Sequence, residues 1–330
     1  MAKKKRSTTP PPGTPWAVDS LLARAAEAER KGRIETAVNL LRQALGAAPL
    51  RPEPAYHLGR LLCCQNRAAE AVTVFTKALA YQKDQHLIWS GLANAYYLAG
   101  NLRQALTHYR QAARLAPGDP TLPAAMANVH HRLGQPEAAV EALGEAIAKG
   151  ADDPRLHHNR GHLLIQLGRR DEALAALREA ARRFETHADL WVALGNLLFD
   201  AGNTSEALEA LQRAVDLDPD DARTRRNLAR KLYKAGLIAA AAATYREVAA
   251  RHPDDETAAH CLAALTGRTT SAAPLSYVRD GFDRYAERFD KHLVEGLGYA
   301  APSLLRRKLD AAAPGSVFAR AVDLGWQRFW

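Results

Sequence analysis

Residues 86–119 read HLIWSGLANAYYLAGNLRQALTHYRQAARLAPGD, and residues 188–221 read ADLWVALGNLLFDAGNTSEALEALQRAVDLDPDD. Laid one over the other, they agree at Trp89 and Trp191, Leu92 and Leu194, Gly100 and Gly202, Ala105 and Ala207, Ala112 and Ala214, Pro117 and Pro219. The spacing between the stretches is three periods of 34 residues. Recurrence at a fixed period is the signature of a repeat architecture and changes what each local feature means.

Counting outward in 34s from Val18 reaches Pro52, His86, Pro120, Pro154, Ala188 and Ala222, so seven units fill residues 18–255 without a gap. The twentieth place is alanine in all seven: Ala37, Ala71, Ala105, Ala139, Ala173, Ala207 and Ala241. The eighth place holds only Gly or Ala, and the twenty-seventh is alanine until Val248 in the last unit. Small side chains belong where two helices approach closely. The fifteenth place carries Gly32, Asn66, Gly100, Gly134, Gly168, Gly202 and Gly236, residue types that accept the left-handed backbone ending a helix. Each unit therefore reads as helix, tight turn, helix. Pro49, Pro117, Pro219 and Pro253 stop the second helix, and Asp19, Asp153 and Asp221 are candidate caps. Glu256 to Leu265 continues as one more helix, read as the cap over the last apolar face.

Composition agrees with an alanine-rich helical array. Of 330 residues, 47% are hydrophobic and only 7% aromatic, too few bulky rings for a sandwich or barrel core. The formal charge is +9, of which Lys3, Lys4, Lys5 and Arg6 supply +4, and the stretch 18–255 carries only +3. That balance predicts no specific nucleic-acid surface. Residues 1–17 read as a basic, disordered tail. Cys63, Cys64 and Cys261 have no CxxC spacing, which excludes a disulfide framework or a four-cysteine zinc site. With no apolar export segment or span, the expectation is a cytoplasmic chain that does not enter a membrane.

Trp89, Leu92, Ala93, Tyr96, Ala105, Tyr109, Ala112 and Pro117, with Trp191, Leu194, Gly195, Ala207, Ala214 and Pro219, resemble the tetratricopeptide (TPR) repeat family. The resemblance implies an all-α fold, a right-handed superhelical solenoid of seven helix pairs with a capping helix. It also implies a protein- or peptide-binding scaffold whose concave groove is lined by places 2, 5, 9, 12 and 13 of each first helix. Place 9 carries Asn94, Asn128 and Asn196, interrupted by His162. These resemble the asparagine ladder of the TPR arm of O-linked N-acetylglucosamine transferases, in which amides pair with a peptide main chain. Solvated asparagines on a helix face are the plainer reading. The carboxylate clamp of chaperone-binding relatives fits less well, since Ala124, Asp189 and Ala193 stand where polar or basic partners are needed.

Two further clusters fall on the same places. Arg223, Arg226, Arg230, Tyr233 and Lys234 would hold an acidic segment of a partner, or form a solvated solenoid end. His131, His158 and His162 have a workable spacing for zinc or nickel, although nothing at a matching place completes the shell. His130 and His157 read as packing residues.

Beyond a linker ending at Pro274, residues 276–330 change character. Phe282, Tyr285, Phe289 and Leu293 recur at helical spacing, a second helix is expected from Pro302 to Leu309, and a strand from Val317 to Asp323. The run YVRDGFDRYAERFDKHLVEGLGYAAPSLL followed by AVDLG resembles the lead-in of bacterial TPR-fused class I S-adenosylmethionine-dependent methyltransferases. Asp323 and Gly325 match the first two places of that family's DxGxGxG cofactor loop, but Trp326, Gln327, Arg328, Phe329 and Trp330 replace its glycines. The expectation is a truncated α/β fragment without catalytic residues and with no cofactor of its own, S-adenosylmethionine belonging to the intact family. The alternative is a working methyltransferase whose repeats recruit the substrate. Trp-Gln-Arg-Phe-Trp read one base later can restore a glycine-rich loop, so the tail is read as the product of a frameshift, with a natural terminus and coincidental tryptophans as the alternative.

Overall fold

A helix ends cleanly when one residue turns left-handed and its neighbours' amides fold back on the last turn. In the structure, a computed structural model describing residues 15–268, 273–274 and 277–278, this happens at every fifteenth place. The six glycines there have φ between 69° and 86°. Asn66 does the same work at φ 58°, the sole non-glycine with positive φ among the described residues. There the Asn66 N–H donates to the Cys63 carbonyl at 3.0 Å, and the Arg67 N–H to the Leu62 carbonyl at 2.9 Å.

The chain divides into two compact units, residues 1–224 and 225–330. The first holds six helix pairs: α1 (Pro15–Arg30) with α2 (Ile34–Ala47), α3 (Pro52–Cys64) with α4 (Ala68–Leu79), and α5 (His86–Leu98) with α6 (Leu102–Leu115). They continue with α7 (Thr121–Arg132) and α8 (Pro136–Ala148), α9 (Pro154–Gln166) and α10 (Arg170–Arg183), and α11 (Ala188–Asp200) and α12 (Thr204–Leu217). The division falls within α13 (Ala222–Lys234), and the second unit continues with α14 (Ile238–Arg251) and α15 (Glu256–Leu265). All described elements are helices.

Within the first unit each helix packs on its partner and on the next helix along the chain, while α3 touches α5 and α9 touches α11. At these two places the first helices of successive pairs stand side by side, as nearest-neighbour stacking requires. The alanines at the twentieth place are fully buried, every one at 0% exposure. The three glycines at the eighth place leave no room for a Cβ. A Cβ on Gly59 would sit 2.2 Å from Phe75 Cζ, on Gly161 2.6 Å from Leu177 Cδ2, and on Gly195 2.7 Å from Leu211 Cγ. Phe75 also fills the space over Gly91 in the next pair, where a Cβ would lie 2.4 Å from its Cζ. One ring thus wedges two successive helix pairs together.

Two local expectations change. α1 begins at Pro15, ahead of Val18, so Asp19 lies inside the helix and pairs with Arg51 at 2.8 Å instead of capping it. Asp153 does cap α9, accepting from the Arg155 N–H at 2.9 Å, and Asp221 accepts from the Arg223 N–H at 3.1 Å. In the second unit α14 packs on α15, and Asp255 caps α15 by accepting from the Ala258 N–H at 2.9 Å. Of the helices and strand expected beyond Pro274, only Tyr277 and Val278 are described, and both are helical. Val317–Asp323, including Asp323, and Gly325 lie outside the described residues.

Candidate functional site

The candidate site is the face of the first helices that carries places 2, 5, 9, 12 and 13, and its chemistry varies from pair to pair. On α3 it is closed by charge. Arg60 donates to both carboxylate oxygens of Glu29, at 2.7 and 2.8 Å, joining α3 to α1. Beside it Cys63 is buried, and burial pushes its thiol up to about 11, which removes it as a nucleophile.

On α5 the face is uncharged. Leu87 and Leu98 are 42% and 43% exposed, the Ser90 hydroxyl donates to the Leu87 carbonyl, and the Asn94 carboxamide stands exposed between them. Arg132 reaches back from α7 and lies 4.6 Å over the Tyr97 ring, its Nη1 donating to the Tyr97 carbonyl at 3.1 Å. That contact fixes the border between α5 and α7. Asn128, exposed on α7, is the next amide, and His162 is exposed on α9. Asn196 on α11 is half-buried. Asn94 and Asn128 occupy neighbouring pairs, whereas Asn196 is separated from them by the pair that carries His162.

Among the described residues, which include His131, His158 and His162, no group of three or more His, Cys, Asp or Glu side chains is placed to hold a metal ion. His131 and His162 are exposed and His158 half-buried. His157, by contrast, is buried against Phe184, with ring centroids 5.3 Å apart.

In the second unit the expected cationic run is partly neutralised. Arg226 pairs with Asp255 at 3.2 Å, and Arg230 donates to the Asn227 side-chain oxygen at 2.6 Å. Tyr233 and Lys234 are exposed. In the first unit, Arg223 is exposed and lies 3.5 Å from Asp221. The counter-charge of Asp255 escaped the sequence reading because it falls at the last place of the repeat, not on a groove position.

Away from this face, Trp89, His108 and Tyr96 form a stack, with His108 5.5 Å from the Trp89 ring and 5.2 Å from Tyr96. Nothing in the 34-residue pattern announces it, since His108 occupies a place held by aliphatic residues, alanine or threonine in the other units. Burial pushes the His108 imidazole below its ordinary value, and its Nδ1 is buried without a partner. His157 is lowered too, first by burial and then by the nearby Arg183 guanidinium, against smaller opposing effects of Glu179 and Asp152. Both histidines are thus neutral in the fold and take up protons more readily when unfolded. Stability is fully present above the unfolded value of about 6.5 and falls as the pH drops below it. Thermal unfolding followed between pH 7 and 5, above most carboxylate titration, should show this loss. His108→Phe should flatten the slope, and an unchanged slope would assign it elsewhere.

Two family models, both describing the tetratricopeptide repeat, match the chain: one at residues 22–80, 56–120 and 158–222, the other at 96–161 and 198–265. The described chain is a repeat protein built from helix-turn-helix units of one kind. It belongs to the tetratricopeptide repeat family. Its fold is similar to that of the C-terminal part of a TPR repeat-containing protein from Cytophaga hutchinsonii, at TM-score 0.62 and 10% identity, over 73% of this chain and 99% of that one. It is also similar to YrrB, a TPR protein described as having an unusual peptide-binding site, at TM-score 0.48 and 23% identity over 56% of this chain and 96% of that one. A third similar structure is TTC0263, a thermophilic TPR protein of Thermus thermophilus, at TM-score 0.43 and 26% identity over 56% of this chain and 100% of that one. No curated protein matches the chain. No described helix is long and apolar enough to cross a membrane.

Proposed function

We propose that the chain is a scaffold that binds a protein or peptide through the first-helix face of residues 1–224, with α5 and α7 at its centre. The supporting observation is the pair of exposed carboxamides, Asn94 and Asn128, on neighbouring helix pairs and flanked by the exposed Leu87 and Leu98. An amide offers both donor and acceptor to a peptide main chain, and exposed leucines take up apolar side chains. Asn196 extends the same contact on α11. The basic residues Arg226, Arg230 and Lys234, with Tyr233, favour an acidic segment of the partner at the second unit, and Arg223 does the same on the first.

Partners captured by the full chain supply the peptide for the test. Asn94→Ala combined with Asn128→Ala should weaken that peptide roughly tenfold, the worth of two lost hydrogen bonds, and leave the far-ultraviolet helical signal unchanged. Equal affinity in the double variant would show that this face is not used.

A second reading rests on the sequence of residues 277–325, the methyltransferase lead-in carrying Asp323 and Gly325. On it the repeats recruit a methyl acceptor. With bulky residues in place of the loop glycines, the chain should give no heat with S-adenosylmethionine in calorimetry. Micromolar binding would establish the enzyme reading instead.

A further inference from the structure

Trp89 and Trp191 occupy the same place in two repeats and are fixed in the same way. Each indole N–H donates to the carbonyl six residues earlier, Lys83 at 2.8 Å and Glu185 at 2.9 Å. In the earlier repeat the imidazole of His108 lies against the Trp89 ring, 5.5 Å between centroids and 28° between planes. At the equivalent place in the later repeat stands Ala210, and beside Trp191 there is a crevice of about 360 Å³. Its floor is Trp191, Leu194 and Ala210. The rim carries charges of both signs: Arg182 and Arg213, and Glu185 and Glu209, while Glu206 is held by Arg178 at 2.6 Å. None of these residues is on the first-helix face assigned to the partner.

We infer that this crevice is a second binding site, for a planar aromatic side chain stacked on Trp191, supplied by a free aromatic amino acid or by an aromatic residue of a peptide. The repeat itself provides the template, because His108 shows that a flat ring is accommodated against tryptophan at this place. A stacked pair over a half-buried Trp191, with the buried Leu194 and Ala210 beside it, is favourable beyond its area alone. The indole needs no reorganisation, since its N–H is already bonded. The mixed rim suits a ligand with an ammonium and a carboxylate, which the glutamates and arginines can meet separately.

The test uses the full chain with 15N-labelled tryptophan indoles, the Trp191 signal being assigned from Trp191→Phe. L-Tyrosine, L-phenylalanine and the neutral N-acetyl-tyrosinamide are titrated in turn, and the Trp191 signal is expected to move while that of Trp89 stays. Preference for the free amino acids identifies the zwitterion as ligand, and equal or tighter binding of the blocked amide identifies a peptide residue. Ala210→His, which installs the ring found in the earlier repeat, should keep the melting temperature and weaken binding at least about tenfold. No movement of the Trp191 signal at millimolar ligand, or undiminished binding in folded Ala210→His, would overturn the assignment.

Discussion

Gly59→Ala is expected to destabilise the first unit by about 1–3 kcal/mol, the usual cost of overpacking a well-filled contact. The sign is informative, because propensity alone predicts the opposite: alanine is better than glycine inside a helix by about 0.8–1.0 kcal/mol. The geometry overrides propensity here, since the new Cβ would lie 2.2 Å from Phe75 Cζ and 2.8 Å from Cε1, in a ring that is itself fully buried. The clash is with the far end of the Phe75 ring, atoms that leucine lacks. Alanine is accommodated at the eighth place opposite leucine, Ala25 with Leu41 and Ala127 with Leu143, and also opposite tyrosine, Ala93 with Tyr109 and Ala229 with Tyr245. Gly59→Ala should therefore cost much less in a Phe75→Leu background, and a urea-unfolding double-mutant cycle should show favourable coupling. A stabilised Gly59→Ala single variant would mean that the ring moves aside freely.

The same repeat logic explains what could be read in advance. Alanines at the twentieth place and left-handed residues at the fifteenth report a steric requirement that recurs at every unit, and boundary prolines one that recurs in four of the seven, so one sequence contains the evidence several times over. Features that occur once carry no such reinforcement. Arg60 and Glu29, the Trp89–His108–Tyr96 stack, and the Arg226–Asp255 pair each join residues whose proximity depends on side-chain reach rather than period. The asparagines lay between these cases. Their shared place was visible, but whether each remained exposed depended on its neighbours, and Asn94 and Asn128 do while Asn196 is half-buried. The histidine trio looked suitable along the chain because i and i+4 share a helix face. Ligation needs a third donor converging from another helix, and no such group forms among the described residues.

Phe75→Ala should have the largest effect on the fold, about 3–5 kcal/mol, from lost burial and the cavity left behind. Its consequence should also be uneven along the chain. Phe75 belongs to the second helix pair yet covers Gly91 in the third, so truncation empties the contact between pairs as well as the one within a pair. In a stack stabilised by nearest-neighbour contacts, weakening one interface lets the shorter side open while the longer side remains folded. Amides of α1 to α4 should then exchange with deuterium well before those of α9 to α12. Gln82 is a remaining tie across the first two pairs, its side-chain nitrogen donating to the Pro49 and Arg51 carbonyls at 3.0 and 2.9 Å. That bond should hold α1 to α4 together as one exchanging block rather than letting the first pair fray alone. Uniform loss of protection across all twelve helices would instead show that residues 1–224 unfold as a single cooperative body, in which a wedge at one interface is felt everywhere.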